Sequence, residues 1–147
     1  MSKQLKLKIV TPEKLILEEQ VDQVTIPTTE GELTILPNHI AMIAGLASGD
    51  IVALSEGNQI PMAVSGGFVE VKQIEGETEV AILADFAENI ADLTEEAIEK
   101  ARNRAEELKK QMENKEIVDF EHFAGELERN LTRIKIADKW KTKKYRK

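Results

Sequence analysis

Hydrophobic and polar residues alternate along the chain up to about residue 90, and beyond it they recur every three to four positions. Leu5-Lys6-Leu7-Lys8-Ile9 alternates cleanly, which predicts a strand with Leu5, Leu7 and Ile9 on one face. Thr11-Pro12-Glu13 reads as a turn, and Leu15 to Leu17 and Val21 to Ile26 as two more strands, with Val24 and Ile26 inward. The stretch from Gly31 to Leu46 is the most distinctive. Glu32-Leu33-Thr34-Ile35 has the period of a half-buried strand, and Gly31 suits the turn that enters it. Pro37 lacks a backbone N–H and ends the ladder, Asn38-His39 form a polar corner, and the apolar run Ile40 to Leu46 is expected to return into the core.

Further strands are predicted at Ile51–Ser55, Gln59–Val64, Phe68–Lys72 and Glu79–Ala84. Turns fall at Ser48-Gly49-Asp50, Glu56-Gly57-Asn58 and Glu75-Gly76-Glu77, and Gly66-Gly67 lies between two strands, where two backbones can approach. Many short strands at this spacing predict an antiparallel sandwich or flattened barrel. Glutamates on its outer positions discourage edge pairing with other chains.

From Leu93 the pattern is helical. Thr94 is placed to cap a helix, with Glu95 and Glu96 in the first turn, where the helix dipole favours negative charge. Ile98, Ala101, Ala105, Leu108 and Met112 form one narrow stripe. Asn114 to Val118 is the expected connection, and Asp119 caps a second helix with the stripe Phe120, Phe123, Leu127, Leu131 and Ile134. So short a link implies antiparallel packing. The fold class is therefore α+β: an antiparallel β-sandwich over residues 1–88, then a two-helix hairpin with a basic tail over residues 89–147. A pair of helices encloses no core of its own. Each large apolar side chain contributes about 1.5–3 kcal/mol only when fully buried, so the hairpin is expected to be held loosely. Opened end to end, two helices of about twenty residues would reach roughly 60 Å.

Charge divides at the same place. Residues 1–88 carry 5 Lys/Arg against 14 Asp/Glu, whereas residues 89–147 carry 15 against 13. The end of the chain, from Lys139 to Lys147, holds six basic residues and no acidic one, and their mutual repulsion predicts fraying. The acidic body argues against nucleic acid as a partner of that tail. The absence of cysteine excludes disulfides and thiolate metal sites. No run of eighteen apolar residues occurs, so the chain is expected to meet a membrane only through a partner. His39 and His122 are the only histidines and fall in different parts. No H-E-x-x-H, Walker A, G-x-G-x-x-G or G-x-S-x-G motif is present, so no nucleophile–base set or metal centre is expected.

Three segments carry a family resemblance: Gly31-Glu32-Leu33-Thr34-Ile35-Leu36-Pro37-Asn38-His39, Val64-Ser65-Gly66-Gly67-Phe68-Val69-Glu70-Val71, and Val80-Ala81-Ile82-Leu83-Ala84-Asp85-Phe86-Ala87-Glu88. In this order and at this spacing they resemble the epsilon-subunit family of F-type ATP synthases, from about Leu5 to the C-terminus. The resemblance implies a non-catalytic rotor subunit on the cytoplasmic face of the cell membrane. Its sandwich would dock on the gamma subunit and the ring of c subunits, with Glu32 and His39 facing the ring. On the residues alone, His39 reads first as a plain surface corner, and the partner contact comes from the resemblance. The helices would extend into the alpha/beta catalytic head and inhibit ATP hydrolysis. Phe120, Phe123, Leu127, Leu131 and Ile134 would supply the apolar contacts there, and Arg129, Arg133, Lys135 and Lys139 the charge.

Some members of the family bind ATP on the folded hairpin through an (I/L)-D-x-x-R-A segment. Leu93-Thr94-Glu95-Glu96-Ala97-Ile98 aligns with it, but Thr94 and Ala97 stand where the Asp and Arg belong. Glu88, Arg104, Arg129 and Arg133 match the outlying positions. With the segment's own arginine replaced by Ala97, and with Glu95 and Glu96 nearby, no nucleotide cofactor is expected. A stand-alone sandwich that recruits an unrelated partner through its helices is the competing reading.

Overall fold

The computed structural model describes residues 3–113 and 120–140, of Phe120 the backbone alone. Eight strands come first: β1 (Leu5–Val10), β2 (Leu15–Val21), β3 (Gln23–Thr28), β4 (Gly31–Ile35), β5 (Met42–Gly45), β6 (Gly49–Ser55), β7 (Asn58–Ile74) and β8 (Glu77–Asn89). A 3-10 turn over Ile90–Asp92 leads into α1 (Glu95–Glu113) and α2 (Phe120–Trp140).

The strands run in the order β2-β1-β8-β7-β6-β3-β4, and β5 pairs with β7. Every pairing is antiparallel except that of β1 with β8. The early half of β7 pairs with β6 and the later half with β5, while β8 follows it from Asn89 to Glu77. The long strands β7 and β8 thus pass from one layer into the other. The alternation in β1 comes out as read, with Leu5, Leu7 and Ile9 fully buried. They join Val24, Ile26, Ile35, Ile51, Met62, Val69 and Ile82 in one aliphatic core between the layers.

Two strand expectations change. Gln59–Val64 and Phe68–Lys72 are not separate strands; β7 is continuous through Gly66-Gly67. Those glycines kink it instead of interrupting it. Both have positive φ (+70° and +111°), and a Cβ on Gly67 would sit on the Leu83 carbonyl oxygen. This is the close backbone approach read from the sequence, made within the sheet. The run Ile40 to Leu46 also does not plunge inward as a block. Only Leu46 is fully buried, whereas Ile40 and Ile43 are 76% and 72% exposed. β5 pairs with β7 alone and covers the core from one side, so its alternate residues face out.

The helical hairpin forms as expected at its start. Thr94 Oγ1 accepts the Ala97 N–H at 3.0 Å, and Ala101, Ala105 and Leu108 are buried. Arg102 on α1 reaches Asp138 near the end of α2, which fixes the helices as antiparallel. The expected connection Asn114–Val118 and the cap Asp119 lie outside the described residues. α2 departs from its expected stripe. Phe123, Leu127 and Ile134 are only half-buried and Leu131 is 40% exposed, whereas Asn130, Thr132, Ile136, Ala137 and Trp140 are buried. α2 packs against α1 on one side and against β6 and β7 on another, so its contact surface is wider than one stripe and rotated toward the sandwich.

Candidate functional site

Three surfaces stand out, two on the sandwich and one between sandwich and hairpin. The corner after β4 is built by Pro37, which closes the strand, and by Asn38, whose φ of 72° turns the chain. The His39 N–H bonds the Leu36 carbonyl at 3.1 Å, and its ring Nδ1 lies 2.8 Å from the Ile40 carbonyl. His39 itself is half-buried. Its neighbours Leu36 and Ile40 project into solvent, 53% and 76% exposed. Glu32 is exposed near the start of β4, so the two expected ring-facing residues flank the strand and share no pocket.

A row of apolar residues crosses the outer side of one layer. Cα registers align Gly45 with Phe68, Phe68 with Leu83, Leu83 with Val10, and Val10 with Leu15. Phe68, Leu83 and Leu15 are each close to half exposed, and Ile43 lies on the same side of β5 as Gly45. These large aliphatic and aromatic side chains, lined up across neighbouring strands and uncovered, form an exposed apolar patch. The sequence reading placed no contact here, because alternation marks Phe68 and Leu83 merely as outward positions.

The hairpin rests on the sandwich through a second, separate apolar cluster. Ala63, Ile90, Ile136 and Trp140 are buried together, with Val52 and Leu93 at the margin. Polar contacts surround it. The Trp140 indole N–H donates to Asp50 Oδ2 at 3.0 Å, and Lys139 Nζ donates to the same oxygen at 2.7 Å. Ser48 Oγ donates to Glu128 at 2.6 Å. Arg133 Nε donates to Glu88 at 2.6 Å, and its guanidinium lies over the Phe86 ring, 5.2 Å from the centroid. Fraying expected from Lys139 onward therefore does not include Lys139 and Trp140, whose burial and charge pairing outweigh the repulsion; residues 141–147 lie outside the described residues. Lys135 is exposed.

Arg104 grips Glu126 across the hairpin with two bonds, at 2.6 and 3.1 Å, and also reaches Glu107 at 3.1 Å. The hydrogen bond from Arg104 holds the Glu126 carboxyl below its ordinary value of 4.5, and Arg104 in turn is raised. Of the four residues matched to an ATP site, Glu88, Arg129 and Arg133 line one cleft of about 640 Å³ between the β1–β2 turn, β8 and α2. Arg104 does not line it. The cleft also presents Glu13, Asp85 and Asp92 against Lys14, so four acidic groups face three basic ones.

Residues 4–90 match the family model described as ATP synthase, Delta/Epsilon chain, beta-sandwich domain. This chain belongs to the ATP synthase epsilon family. It is 40% identical over 136 residues to the ATP synthase epsilon chain of Nitratidesulfovibrio vulgaris, a match spanning 92% of this chain and 97% of that one. The epsilon chain of Halalkalibacterium halodurans is 40% identical over 134 residues, 90% and 96% of the two chains. Among solved structures, a chain of the Euglena gracilis mitochondrial ATP synthase, in an assembly with the c-ring, superposes with a TM-score of 0.67 at 26% identity, over 88% of this chain and 78% of that one. A chain from the Tetrahymena thermophila central stalk and c-ring, at 16% identity and TM-score 0.55, shows the same fold. As an epsilon-family member the chain is a non-catalytic subunit of the central stalk of ATP synthase.

Asp50, Trp140 and Glu126 are the residues that sequence reasoning missed. Asp50 read as a turn residue and Trp140 as part of a basic tail. The one tryptophan of the chain, three residues after an alanine and four after an isoleucine on a helix, was the available signal.

Proposed function

We propose that this epsilon-family chain is the foot of the rotor and, through its hairpin, a brake on the catalytic head. The sandwich docks on the gamma subunit through the apolar row Ile43, Phe68, Leu83 and Leu15, and on the c-ring through Glu32 and the Leu36–Ile40 corner. It passes the torque of the ring to the alpha/beta head, on the cytoplasmic face of the membrane that holds the ring. The observation that carries the brake is the separateness of the hairpin's anchor. Ala63, Ile90, Ile136 and Trp140 form their own cluster, so α1 and α2 can leave without opening the core formed by Leu7, Ile26 and Ile82.

Braking works by competition for burial. Phe123, Leu127, Leu131 and Ile134 are incompletely covered in the folded hairpin, and their apolar area, with that of Phe120 in the extended form, gains from a second surface in the head. Arg129, Arg133, Lys135 and Lys139 favour acidic helices there. In the folded state Arg133 and Lys139 are neutralised by Glu88 and Asp50. Opening exchanges those pairs for others, so its charge cost is small. Nucleotide plays no part in holding the hairpin, because Arg104 and Arg133 are already engaged by Glu126 and Glu88 and the cleft is acidic. Removing residues from Asn114 onward should raise ATP hydrolysis by the assembled enzyme. Unchanged hydrolysis would sink the brake.

A further inference from the structure

The corner proposed to meet the ring is fastened to the sandwich through one buried hydroxyl. Thr78, 1% exposed near the start of β8, accepts the backbone N–H of Asn38 on Oγ1 at 2.7 Å. Because that N–H can only donate, the hydroxyl proton of Thr78 is left for Gln73 Oε1, 2.9 Å away. With its oxygen taken, the Gln73 amide must present Nε2 on the other side, and Nε2 donates to the His39 carbonyl. Lys3 closes the arrangement from outside by bonding Asn38 Oδ1 at 2.8 Å and the Gly76 carbonyl at 2.7 Å.

These bonds meet at the one place in the corner where the backbone is unfavourable. Asn38 holds φ at 72°, in the left-handed region that asparagine tolerates better than most non-glycine residues, and the surrounding bonds fix it there. Its N–H goes to Thr78, its side chain to Lys3, and the next carbonyl to Gln73. Leu36 and Ile40, on either side, add little burial to hold the loop, since they are 53% and 76% exposed.

We infer that Thr78, through Gln73, is the positioning residue for the ring-facing corner: it sets the angle at which Leu36, His39 and Ile40 are presented to the c-ring. This rests on the proposal that the corner meets the ring. Thr78 touches no partner itself. Its role is distinct from that of the apolar row, so a change here should separate ring contact from gamma contact.

The test compares Thr78→Val, which keeps the shape and removes the hydroxyl, with Thr78→Ser, in the full-length chain and in the assembled enzyme. In T78V, amide exchange at Asn38 and His39 should rise about tenfold or more, the equivalent of one lost hydrogen bond, while core amides of β7 stay protected. Affinity for the purified c-ring should fall by about the same factor, affinity for gamma should not change, and T78S should restore both. Should T78V fail to fold, Gln73→Leu, at an exposed position, should reproduce the ring-specific loss. Ile40→Asp provides the reference for the ring contact. Wild-type ring affinity in T78V (or in Q73L) alongside a defective I40D would overturn the role of Thr78 alone, as would unchanged exchange at the corner. Normal ring binding by I40D would overturn the ring contact and the positioning role together.

Discussion

Asp50 and Trp140 stand ninety residues apart in sequence, and one carboxylate oxygen of Asp50 takes both the Trp140 indole N–H and the neighbouring Lys139 ammonium. Trp140 is 3% exposed against Ala63 and Ile90, so the far end of α2 is pinned to the sandwich by packing and by charge at one point. Asp50→Ala removes the acceptor but leaves the packing. Trp140→Ala removes the packing and the indole donor while Lys139 keeps its bond to Asp50, and emptying a buried tryptophan site costs about 3–5 kcal/mol. W140A should therefore release α2, seen as amide exchange along the helix, with the sandwich core still protected. D50A should shift tryptophan fluorescence to the red and open the helix to a smaller degree. In the assembled enzyme both should deepen inhibition of ATP hydrolysis, since the folded hairpin is what they weaken.

The Arg104–Glu126 pair gives the hairpin a dependence on pH. Glu126 is held below its ordinary 4.5 chiefly by the hydrogen bond from Arg104, so its folded carboxyl keeps its charge to lower pH than the unfolded one does. The contribution is complete above the ordinary carboxylate value and disappears as pH falls through the depressed one. Helix content of the hairpin, followed by circular dichroism from pH 6 downward, should drop earlier in Glu126→Gln than in the wild type. Coincident profiles would show that the pair contributes nothing.

Gly67 meets the Leu83 and Ala84 backbone with no space for a side chain, at φ +111°. Gly67→Ala should destabilise the sandwich by more than the roughly 1–3 kcal/mol that such backbone angles alone impose on a residue with a Cβ. Chemical denaturation measures this directly. Gly57→Ala, also at positive φ but in open space, should cost less.

Nucleotide should be without effect. Millimolar ATP should leave the melting temperature of the isolated chain unmoved, because ligand binding would raise it by mass action. A rise of several degrees would mean that Arg129 and Arg133 can exchange Glu88 for phosphate.

Much of the architecture is legible in local pattern. Alternation at Leu5-Lys6-Leu7-Lys8-Ile9 and a three-to-four spacing from Ile98 to Met112 each follow from the repeat of one element, and both are found as read. The cap at Thr94 and the close backbone approach at Gly67 also depend on chemistry within a few residues or on one residue's lack of a Cβ. Periodicity alone failed where an element has more than one neighbour. α2 touches both α1 and the sandwich, so Ile136 and Trp140 are buried in place of Leu131.

The sequence by itself determined a strand-rich, acidic body, a helical pair after it, and the family to which both belong. Only the tertiary structure decided that β7 runs unbroken through its glycines, that Phe68, Leu83 and Leu15 align into an uncovered row, and that Asp50, Glu88 and Thr78 are anchors. The physical reason is separation along the chain. A residue's alternation or helical phase is set by its immediate neighbours, whereas its partner in these contacts lies forty to ninety positions away and is chosen by how the layers and helices stack.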